Sequence, residues 1–429
     1  MELESWGRLT AEKQPAADLS RDPGKLLHPA EKSILAYGMG RSYGDVCLNP
    51  GGSLRLANAL DRFISFDMEN GELVCEAGVL ISDIQQLLFP KGWCLPVTPG
   101  TQFVTVGGAV ANDVHGKNHH QHGCFSNHIN WLVIERTNGE IITCSPSQRS
   151  DWFSATCGGL GLTGVLKQVS ISLKPTPSSW MVTETLRFAS IEEFSQLNGE
   201  SVQDWEYTVS WIDCRKKSQK RGVFIRANHC TDSDRIKPRN LKLSVPFVPP
   251  FSAVNRVSVA TLNTLYYAAH KHKGLSKSHY QSFYYPLDNI LNWNRMYGPR
   301  GFFQYQLVVP TGNAIDAINA VLTKISESGQ GSFLSVLKAF GAKASPGLLS
   351  FPMEGMTLAL DFPNRGDETL RLFEHLDNIV SSAGGRLYPA KDARMPSEVF
   401  SDGYSQLPNF MSYRDPGISS GLSQRLMGW

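Results

Sequence analysis

Two glycine-rich turns in the first third of the chain could hold an anionic or flat ligand. The first, Gly38-Met-Gly-Arg-Ser-Tyr-Gly-Asp45, follows a short apolar strand, and the second runs from Pro99 to Asn112. Glycines allow φ > 0 and leave backbone N–H groups unshielded, so such turns can form anion-binding nests. Neither is a Rossmann GxGxxG or a Walker loop, so no standard NAD or ATP site is indicated. Taken singly, each turn fits an ordinary tight turn equally well.

A histidine-rich stretch raises the possibility of metal binding. It contains His115, His119, His120, His122 and His128, five of the 11 histidines of the chain. A zinc site needs three or four converging ligands, but Gly116 disfavours a regular HxxxH helix and no CxxC or HExxH motif is present. We therefore expect no metal here. We also expect His122 and His128 to be exposed and without a role.

The elements around these motifs predict two regions. Asn70-Gly71 and Asn138-Gly139 are hairpin signals between short strands. A helix is predicted at 79–89 with Ser82 as its N-cap, and a strand at 165–173 ends before Lys174-Pro-Thr-Pro177. The break at these prolines indicates a domain boundary near residue 175.

Strands and helices alternate after this boundary. The pattern predicts strands at 205–212 and 302–309 and amphipathic helices at 314–328 and 367–382. This order favours a sheet with helices on one face. Gln304 and Gln306 alternate along their strand, so both can point into one pocket, although strand glutamines often face solvent.

The net charge of +2 hides an uneven distribution. Residues 211–280 contain fourteen Lys and Arg against three acidic residues, a net +11, which leaves −9 for the rest of the chain. The overall balance argues against a nucleic-acid binder. Prolines and apolar residues at 245–251 predict a long mobile loop, placed at 236–277, which either binds an anionic membrane surface or is simply a solvated charged loop.

Eight scattered cysteines without a CxxC pair predict free buried thiols and a reducing compartment. The N-terminus shows no secretory signal, and no apolar run reaches the ~18 residues of a membrane span. We expect a cytoplasmic or peripherally membrane-associated protein.

Together with Gly158-Gly-Leu-Gly-Leu-Thr-Gly164, the two turns resemble the PCMH-type FAD-binding domain of the vanillyl-alcohol-oxidase superfamily. Within that superfamily the chain resembles the decaprenylphosphoryl-β-D-ribose 2′-oxidase family over most of its length. The motifs that carry the narrower resemblance are Gly-Arg-Ser-Tyr-Gly-Asp (40–45), Val-Gly-Gly-Ala (106–109), His-Gly-Lys-Asn-His-His (115–120), Phe-Gln-Tyr-Gln (303–306), Asp-Phe-Pro (361–363) and Gly-Arg-Leu-Tyr-Pro-Ala-Lys-Asp (385–392).

This resemblance implies a two-domain α+β fold. An FAD-binding domain would occupy 1–175, a substrate domain with an antiparallel sheet covered by helices 176–380, and a C-terminal segment returning to the flavin 381–429. The implied cofactor contacts are Gly38, Gly40, Arg41, Ser42, Tyr43, Gly44, Gly100, Thr101, Thr105, Gly107, Gly108, Asn112, His115, Gly161, Val165 and Tyr388. Many superfamily members attach FAD through a histidine where this chain has Arg41, so the FAD is expected to be non-covalent.

The resemblance also implies the reacting groups. Lys391, His115 and Tyr43 would be catalytic, and substrate would contact Lys117, Gln304, Gln306, Lys338 and Lys391. A desolvated lysine can take the hydroxyl proton or remain charged and stabilise negative charge, and the sequence leaves both roles of Lys391 open. Family members carry a cysteine, the target of covalent nitroaromatic inhibitors, where this chain has Ala359, so it should escape that reaction.

The resemblance implies oxidation of the 2′-hydroxyl of a polyprenyl-phosphoryl ribose, with a short-chain reductase completing an epimerisation to arabinose for cell-wall or other glycan synthesis. Two alternatives remain open from the sequence. One is a soluble alditol, aldonolactone or other sugar oxidase of the same fold, and the other is a flavin-less protein that binds a membrane surface.

Overall fold

The structure is a computed structural model that describes residues 3–10, 14–24, 26–215, 220–231, 243–271, 273–332 and 334–428. The strands are β1 (Ala16–Asp18), β2 (Ile34–Tyr37), β3 (Ser53–Leu56), β4 (Phe63–Asp67), β5 (Glu72–Glu76), β6 (Trp93–Cys94), β7 (Ile129–Glu135), β8 (Ile141–Cys144), β9 (Val165–Ser172), β10 (Lys174–Pro175), β11 (Trp180–Phe188), β12 (Tyr207–Ile212), β13 (Gly222–His229), β14 (Leu243–Ser244), β15 (Lys273–His279), β16 (Ile290–Leu291), β17 (Phe302–Pro310), β18 (Ser335–Phe340), β19 (Gly355–Pro363) and β20 (Arg386–Leu387). The α-helices are α1 (Ile81–Leu88), α2 (Val106–Ala111), α3 (His119–His122), α4 (Ser150–Thr156), α5 (Ile191–Ser201), α6 (Arg256–Ala269), α7 (Tyr280–Tyr284), α8 (Ala314–Ser328), α9 (Asp367–Ser382), α10 (Ser397–Gly403), α11 (Leu407–Phe410) and α12 (Gly421–Met427).

The first part of the chain is built on a three-stranded parallel sheet, β1-β3-β2, and a five-stranded antiparallel sheet, β4-β5-β9-β7-β8. Both predicted hairpins are confirmed, since β4 pairs with β5 and β7 with β8 around the two Asn-Gly turns. The predicted N-cap is wrong. Helix α1 begins after Leu80 without a side-chain cap, and the hydroxyl of Ser82 instead contacts Asp83 at 3.1 Å.

An eight-stranded sheet, β15-β11-β13-β12-β18-β19-β17-β20, dominates the second part, and its strand pairings are antiparallel. Its two faces differ because side chains alternate along each strand. Tyr305 and Leu307 of β17 lie in the core with α8 and α9, whereas Gln304 and Gln306 point to the opposite face. Helices mixed with mainly antiparallel sheets make this an α+β fold, as the sequence predicts.

The two amphipathic helices are confirmed at their predicted limits. Helix α8 ends at Gly329, whose φ of +65° is a left-handed conformation that glycine adopts without a Cβ penalty. Helix α9 ends before Gly384, which has a φ of +72°. In both helices the residues that face the sheet are apolar, and this apolar pattern ends where the helix ends.

The prediction of one long loop at 236–277 is wrong for 256–269 and 273–277, which form regular elements. Residues 236–242 and 272 lie outside the described residues, but 256–269 form α6 and β15 begins at Lys273. Asn255 caps α6 by accepting hydrogen bonds from the backbone of Val257 and Ser258. The prolines of 245–251 indicate a loop, but the periodic stretch that follows them forms α6.

The C-terminal segment returns to the first part of the chain. Ile418 forms a parallel bridge with Ile34, and the Arg425 guanidinium donates to Asp45 and Asp392 at 2.9 Å each. The backbone of Tyr43 donates to the carbonyl of Ala390 at 3.2 Å. These contacts place Lys391 against the first glycine-rich turn.

Candidate active site

A cavity of about 380 Å³ separates the glycine-rich turns from the polar face of the eight-stranded sheet. Its walls come from turns far apart in sequence and from the C-terminal segment. Of the predicted residues, those that line it are Gly38, Gly40, Arg41, Ser42, Tyr43, Gly100, Thr101, Thr105, Gly107, Gly108, Asn112, His115, Lys117, Gly161, Gln304, Gln306, Lys338, Tyr388 and Lys391.

Two predicted contacts do not line the cavity. Val165 is 1% exposed and pairs with Glu135 in the five-stranded sheet, while its neighbours Gly164 and Leu166 reach the cavity instead. Gly44 packs against the C-terminal segment, where a Cβ would lie only 1.6 Å from the carbonyl oxygen of Asp392. Gly44 thus permits a close approach of two backbones.

The glycine-lined end of the cavity, formed by 38–42, 100–112 and Gly161, offers unused hydrogen-bonding groups. Within the described residues, the backbone N–H groups of 39–42 have no acceptor. Nε of Arg41 and Oδ1 of Asn112 are buried and likewise lack a partner there. Buried polar groups normally find partners, so this end has the donors and acceptor that a phosphorylated ligand would satisfy.

Small residues give this end its shape. A Cβ on Gly161 would meet no atom closer than Ala111 Cβ at 4.0 Å, so any side chain there would project toward the cavity. Tyr388 also lines the cavity, stacked on Phe351 with its hydroxyl donating to the carbonyl of Asn112 at 2.9 Å. Small residues together with an aromatic side chain suit a flat ring system.

Arg41, the residue that leads us to expect non-covalent FAD, lies close to two aromatic rings. Its guanidinium lies 4.1 Å from the centre of the Trp6 ring and 5.3 Å from that of Phe103. Burial lowers the pKa of Arg41, and Asp288 opposes the shift. A guanidinium remains a cation and cannot form a histidyl–flavin bond.

The lysine end of the cavity is formed by Lys117, Lys338 and Lys391 on the polar face of the sheet and its margins. Burial lowers the pKa of Lys117 to about 7, with a further contribution from the charge of Lys338. Burial and the charge of Lys391 lower the pKa of Lys338 to about 7. An anion bound among these amines would favour their charged forms.

His115 contacts polar groups at the lysine end of the cavity. Its Nδ1 lies 3.1 Å from Nζ of Lys338, and its Nε2 lies 3.0 Å from the amide nitrogen of Gln306. Burial, reinforced by the charge of Lys338, holds the pKa of His115 well below its usual range. The ring is therefore neutral, and both nitrogens are engaged in positioning neighbouring polar groups.

Lys391 lies beside Tyr43 and a buried acid. Nζ of Lys391 is 4.0 Å from the centre of the Tyr43 ring, and it hydrogen-bonds to none of the described residues. Burial lowers the pKa of Lys391 to about 8, and Asp361 opposes that shift. Burial raises the pKa of Asp361 to about 7, while its Oδ1 accepts a hydrogen bond from Gln304 at 2.6 Å.

The histidine-rich stretch is more buried than predicted. His122 is half-buried, with Nε2 at 3.2 Å from a carboxylate oxygen of Glu206, and His128 contacts the backbone carbonyl of His122 at 2.9 Å. Burial lowers the pKa of His128 to about 4. The expectation that these two histidines are exposed is therefore wrong. His119 is buried with Nε2 at 3.5 Å from Sγ of Cys124.

Sequence reasoning missed Asp361 as a member of the site. It occurs in the Asp-Phe-Pro motif, and its position in β19 has the same parity as Thr357 and Ala359, which line the cavity. Strand alternation could therefore have placed it on the polar face. Asp288 was also missed; its carboxylate accepts from the backbone of Gln102 at 2.8 Å beside the second turn.

The cavity and its donors are accompanied by similarity to flavoproteins. Residues 25–145 match the family described as FAD binding domain. The protein is an FAD-dependent oxidoreductase acting on alcohol groups.

Similarity over 99% of the chain assigns the protein to a narrower family. It is 33% identical over 452 residues to the decaprenylphosphoryl-beta-D-ribose oxidase of Mycolicibacterium smegmatis, covering 99% of this chain and 97% of that protein. The chain belongs to the decaprenylphosphoryl-beta-D-ribose oxidase family. It is also 28% identical to an uncharacterised protein of Streptomyces coelicolor over 81% of this chain and 100% of that protein. The L-gulonolactone oxidase of Mus musculus is 27% identical over 35% of this chain and 34% of its own length.

Proposed function

We propose that this protein oxidises the 2′-hydroxyl of a polyprenyl-phosphoryl-β-D-ribose to the 2′-keto sugar. The observation that carries the proposal is the convergence of Lys117, Lys338 and Lys391 on the cavity opposite the glycine-lined end. Three amines in an enclosed space suit a phosphorylated sugar better than a neutral one, because an anion stabilises their charged forms. Gln304 and Gln306 supply polar groups for the sugar hydroxyls.

The glycine-lined end would hold FAD without a covalent bond. The unpaired N–H groups of 39–42 and the Arg41 side chain would contact the pyrophosphate, and the space between Gly161 and Tyr388 would accept the ring system. Bound there, FAD supplies the acceptor for the hydride that leaves the alcohol carbon. In this arrangement 1–175 contributes the cofactor site, 176–380 the substrate face and 381–429 the returning lysine.

Lys391 would act on the hydroxyl group. Oxidation breaks the C2′–H bond with loss of a hydride, removes the hydroxyl proton and leaves a C=O double bond. At a pKa of about 8 the amine is present in both forms near neutral pH: its neutral form would accept the hydroxyl proton, and its charged form would stabilise developing negative charge. The neutral His115 would keep Gln306 and Lys338 in place beside the sugar.

The lipid-linked substrate implies two partners. A short-chain reductase would reduce the keto group from the other face, which completes an epimerisation to arabinose for cell-wall or other glycan synthesis. An anionic membrane surface would present the polyprenyl chain. Similarity to an L-gulonolactone oxidase supports the alternative of a soluble sugar oxidase. That similarity extends over 35% of this chain, whereas similarity to the phosphoryl-ribose oxidase extends over 99%.

Product analysis tests this proposal. The purified flavoprotein is incubated with polyprenyl-phosphoryl-ribose and an artificial electron acceptor, and the product is reduced with sodium borodeuteride and hydrolysed. A 2′-keto product gives ribose and arabinose that both carry deuterium at C2, whereas the Lys391→Ala variant gives neither. Deuterium at C3, or arabinose formation from free ribose at the same rate, would contradict the proposal.

A further inference from the structure

Helix α6 has an apolar face that the described part of the protein leaves uncovered. Only Val259 and Asn263 of this 14-residue helix are buried. Val257 is 74% exposed, Leu262 49% and Leu265 60%. A surface helix normally turns charged residues to solvent, but Arg256 is the only charged residue of α6.

We call the exposed large hydrophobic residues between 243 and 275 the α6 surface. It contains eight of the fourteen large hydrophobic residues that are exposed among the described residues, all between 243 and 275. They are Leu243, Phe247, Phe251, Val257, Leu262, Leu265, Tyr266 and Leu275. Such a concentration in a short segment marks a binding surface rather than scattered exposure.

The charged residues in the sequence of this segment have one sign. Residues 243–287 contain four Lys or Arg and no Asp or Glu. Upstream of this segment, Arg215 and Arg221 pair with Asp213, and Arg226 pairs with Glu184. The exposed apolar residues therefore lie in a stretch of sequence whose charged residues are all basic.

We propose that the α6 surface binds an anionic lipid bilayer, with α6 lying in the plane of the interface. The exposed apolar side chains of α6 can enter the interfacial region, and the basic residues of 243–287, without acids among them, favour an anionic lipid surface. Among the described residues no helix combines the length and apolar character needed to cross a bilayer, so this contact is peripheral. This membrane contact extends the proposed function. It rests on that function in one respect, because a lipid-linked substrate would lie in the bilayer.

The inner face of α6 connects this surface to the active site. Val254 and Val259 share a buried cluster with Tyr43, Trp293 and Phe302, and both Tyr43 and Trp293 line the cavity. A bilayer docked on the outer face would therefore lie one helix away from the wall of the cavity. This position suits a substrate whose lipid chain stays in the membrane.

Vesicle co-sedimentation tests the surface. The variant Val257→Ser/Leu262→Ser/Leu265→Ser keeps the buried contacts of α6, and the matched control Ile64→Ser/Leu87→Ser/Ile141→Ser removes exposed apolar side chains elsewhere. On vesicles of phosphatidylglycerol and phosphatidylcholine we expect the α6 variant to bind more than about tenfold more weakly than wild type. The control should bind like wild type, and neutral vesicles should bind all three poorly. Equal binding of the two variants would overturn the proposal.

A second measurement separates a bilayer from a protein partner or a second copy. Seven of the eight native cysteines are buried, so Leu265→Cys can be labelled with an environment-sensitive fluorophore, with Ile141→Cys as the control. Anionic vesicles should shift the emission at 265 to the blue and leave that at 141 unchanged. No shift at 265, or a dimer that dissociates in the triple variant while vesicle binding persists, would reject the bilayer.

Activity on a short-chain, water-soluble phosphoryl-ribose separates this inference from the proposed function. The α6 triple variant should oxidise it as fast as wild type while failing to bind vesicles. If wild type binds vesicles through α6 but does not oxidise the soluble substrate, the proposed function fails and the membrane contact stands. A parallel loss of soluble activity and flavin in the variant would show damage to the fold and count against the assignment of α6.

Discussion

The two ends of the cavity offer hydrogen-bond donors of different kinds. At the glycine-lined end the donors are backbone N–H groups, whose positions are set by the turn at 38–42 and do not titrate. At the lysine end the donors are side chains, and burial brings the pKa values of Lys117 and Lys338 to about 7. The first end is suited to a resident cofactor, and the second to a ligand whose binding depends on charge.

The largest expected effect comes from filling the glycine-lined end. Gly161→Leu places a side chain where no protein atom lies, so the purified variant should contain less than about a tenth of the flavin of wild type and lose activity in proportion. Gly139→Leu is the matched control, because Gly139 also has a positive φ and open space but lies outside the cavity. Absorbance of the purified proteins measures both, and normal flavin content in Gly161→Leu would contradict the assignment of this end.

Removing the amine of Lys391, which we propose is catalytic, should lower turnover without lowering flavin content. Lys391→Ala leaves the unpaired N–H groups of 39–42 intact, so flavin content should match wild type, while turnover falls about 1,000-fold. Lys91→Ala, an exposed lysine outside the cavity, is the control and should be unchanged. Turnover within a factor of a few of wild type would remove Lys391 from the mechanism.

The pH dependence of binding should report the lysine end alone. Lys117 and Lys338 lose their charge as pH rises through about 7, while the phosphodiester remains an anion, so substrate Kd should increase about tenfold between about pH 6 and pH 9. Lys338→Met should weaken binding at the lower pH and flatten this dependence. Perturbation of the flavin spectrum measures Kd, and an unchanged slope in Lys338→Met would show that the dependence arises elsewhere.

The smallest effect should come from Asp361→Asn. The amide keeps an oxygen for Gln304, but it removes the negative charge that favours the protonated form of Lys391. The pKa of Lys391 should therefore fall, and the limb of the kcat profile that reports Lys391 should move to lower pH while KM changes little. A shift to higher pH would contradict the electrostatic link between these residues.

The sequence predicts local features of the fold better than the contents of the site. Helices α8 and α9 were located to the residue because an apolar stripe and a glycine stop coincide, and the two hairpins follow from Asn-Gly pairs. Helix α6 was missed because a proline-rich, basic neighbourhood is typical of loops. The sequence does not distinguish Gly44 and Val165 from the residues that line the cavity, because proximity to a motif does not show which way a residue faces. Asp361 was missed because its burial beside Lys391 depends on strands that are far apart in sequence.

Anaerobic reduction of the bound flavin tests whether the protein oxidises a polyprenyl-phosphoryl-ribose. The measurement needs neither an electron acceptor nor a partner protein. The protein is mixed without oxygen with polyprenyl-phosphoryl-ribose, with the same polyprenyl riboside lacking phosphate, or with free ribose, and the flavin absorbance is followed. We predict rapid bleaching by the phosphorylated lipid sugar only, and none in Lys391→Ala. Equal bleaching by free ribose, or no bleaching by the phosphorylated substrate, would contradict it.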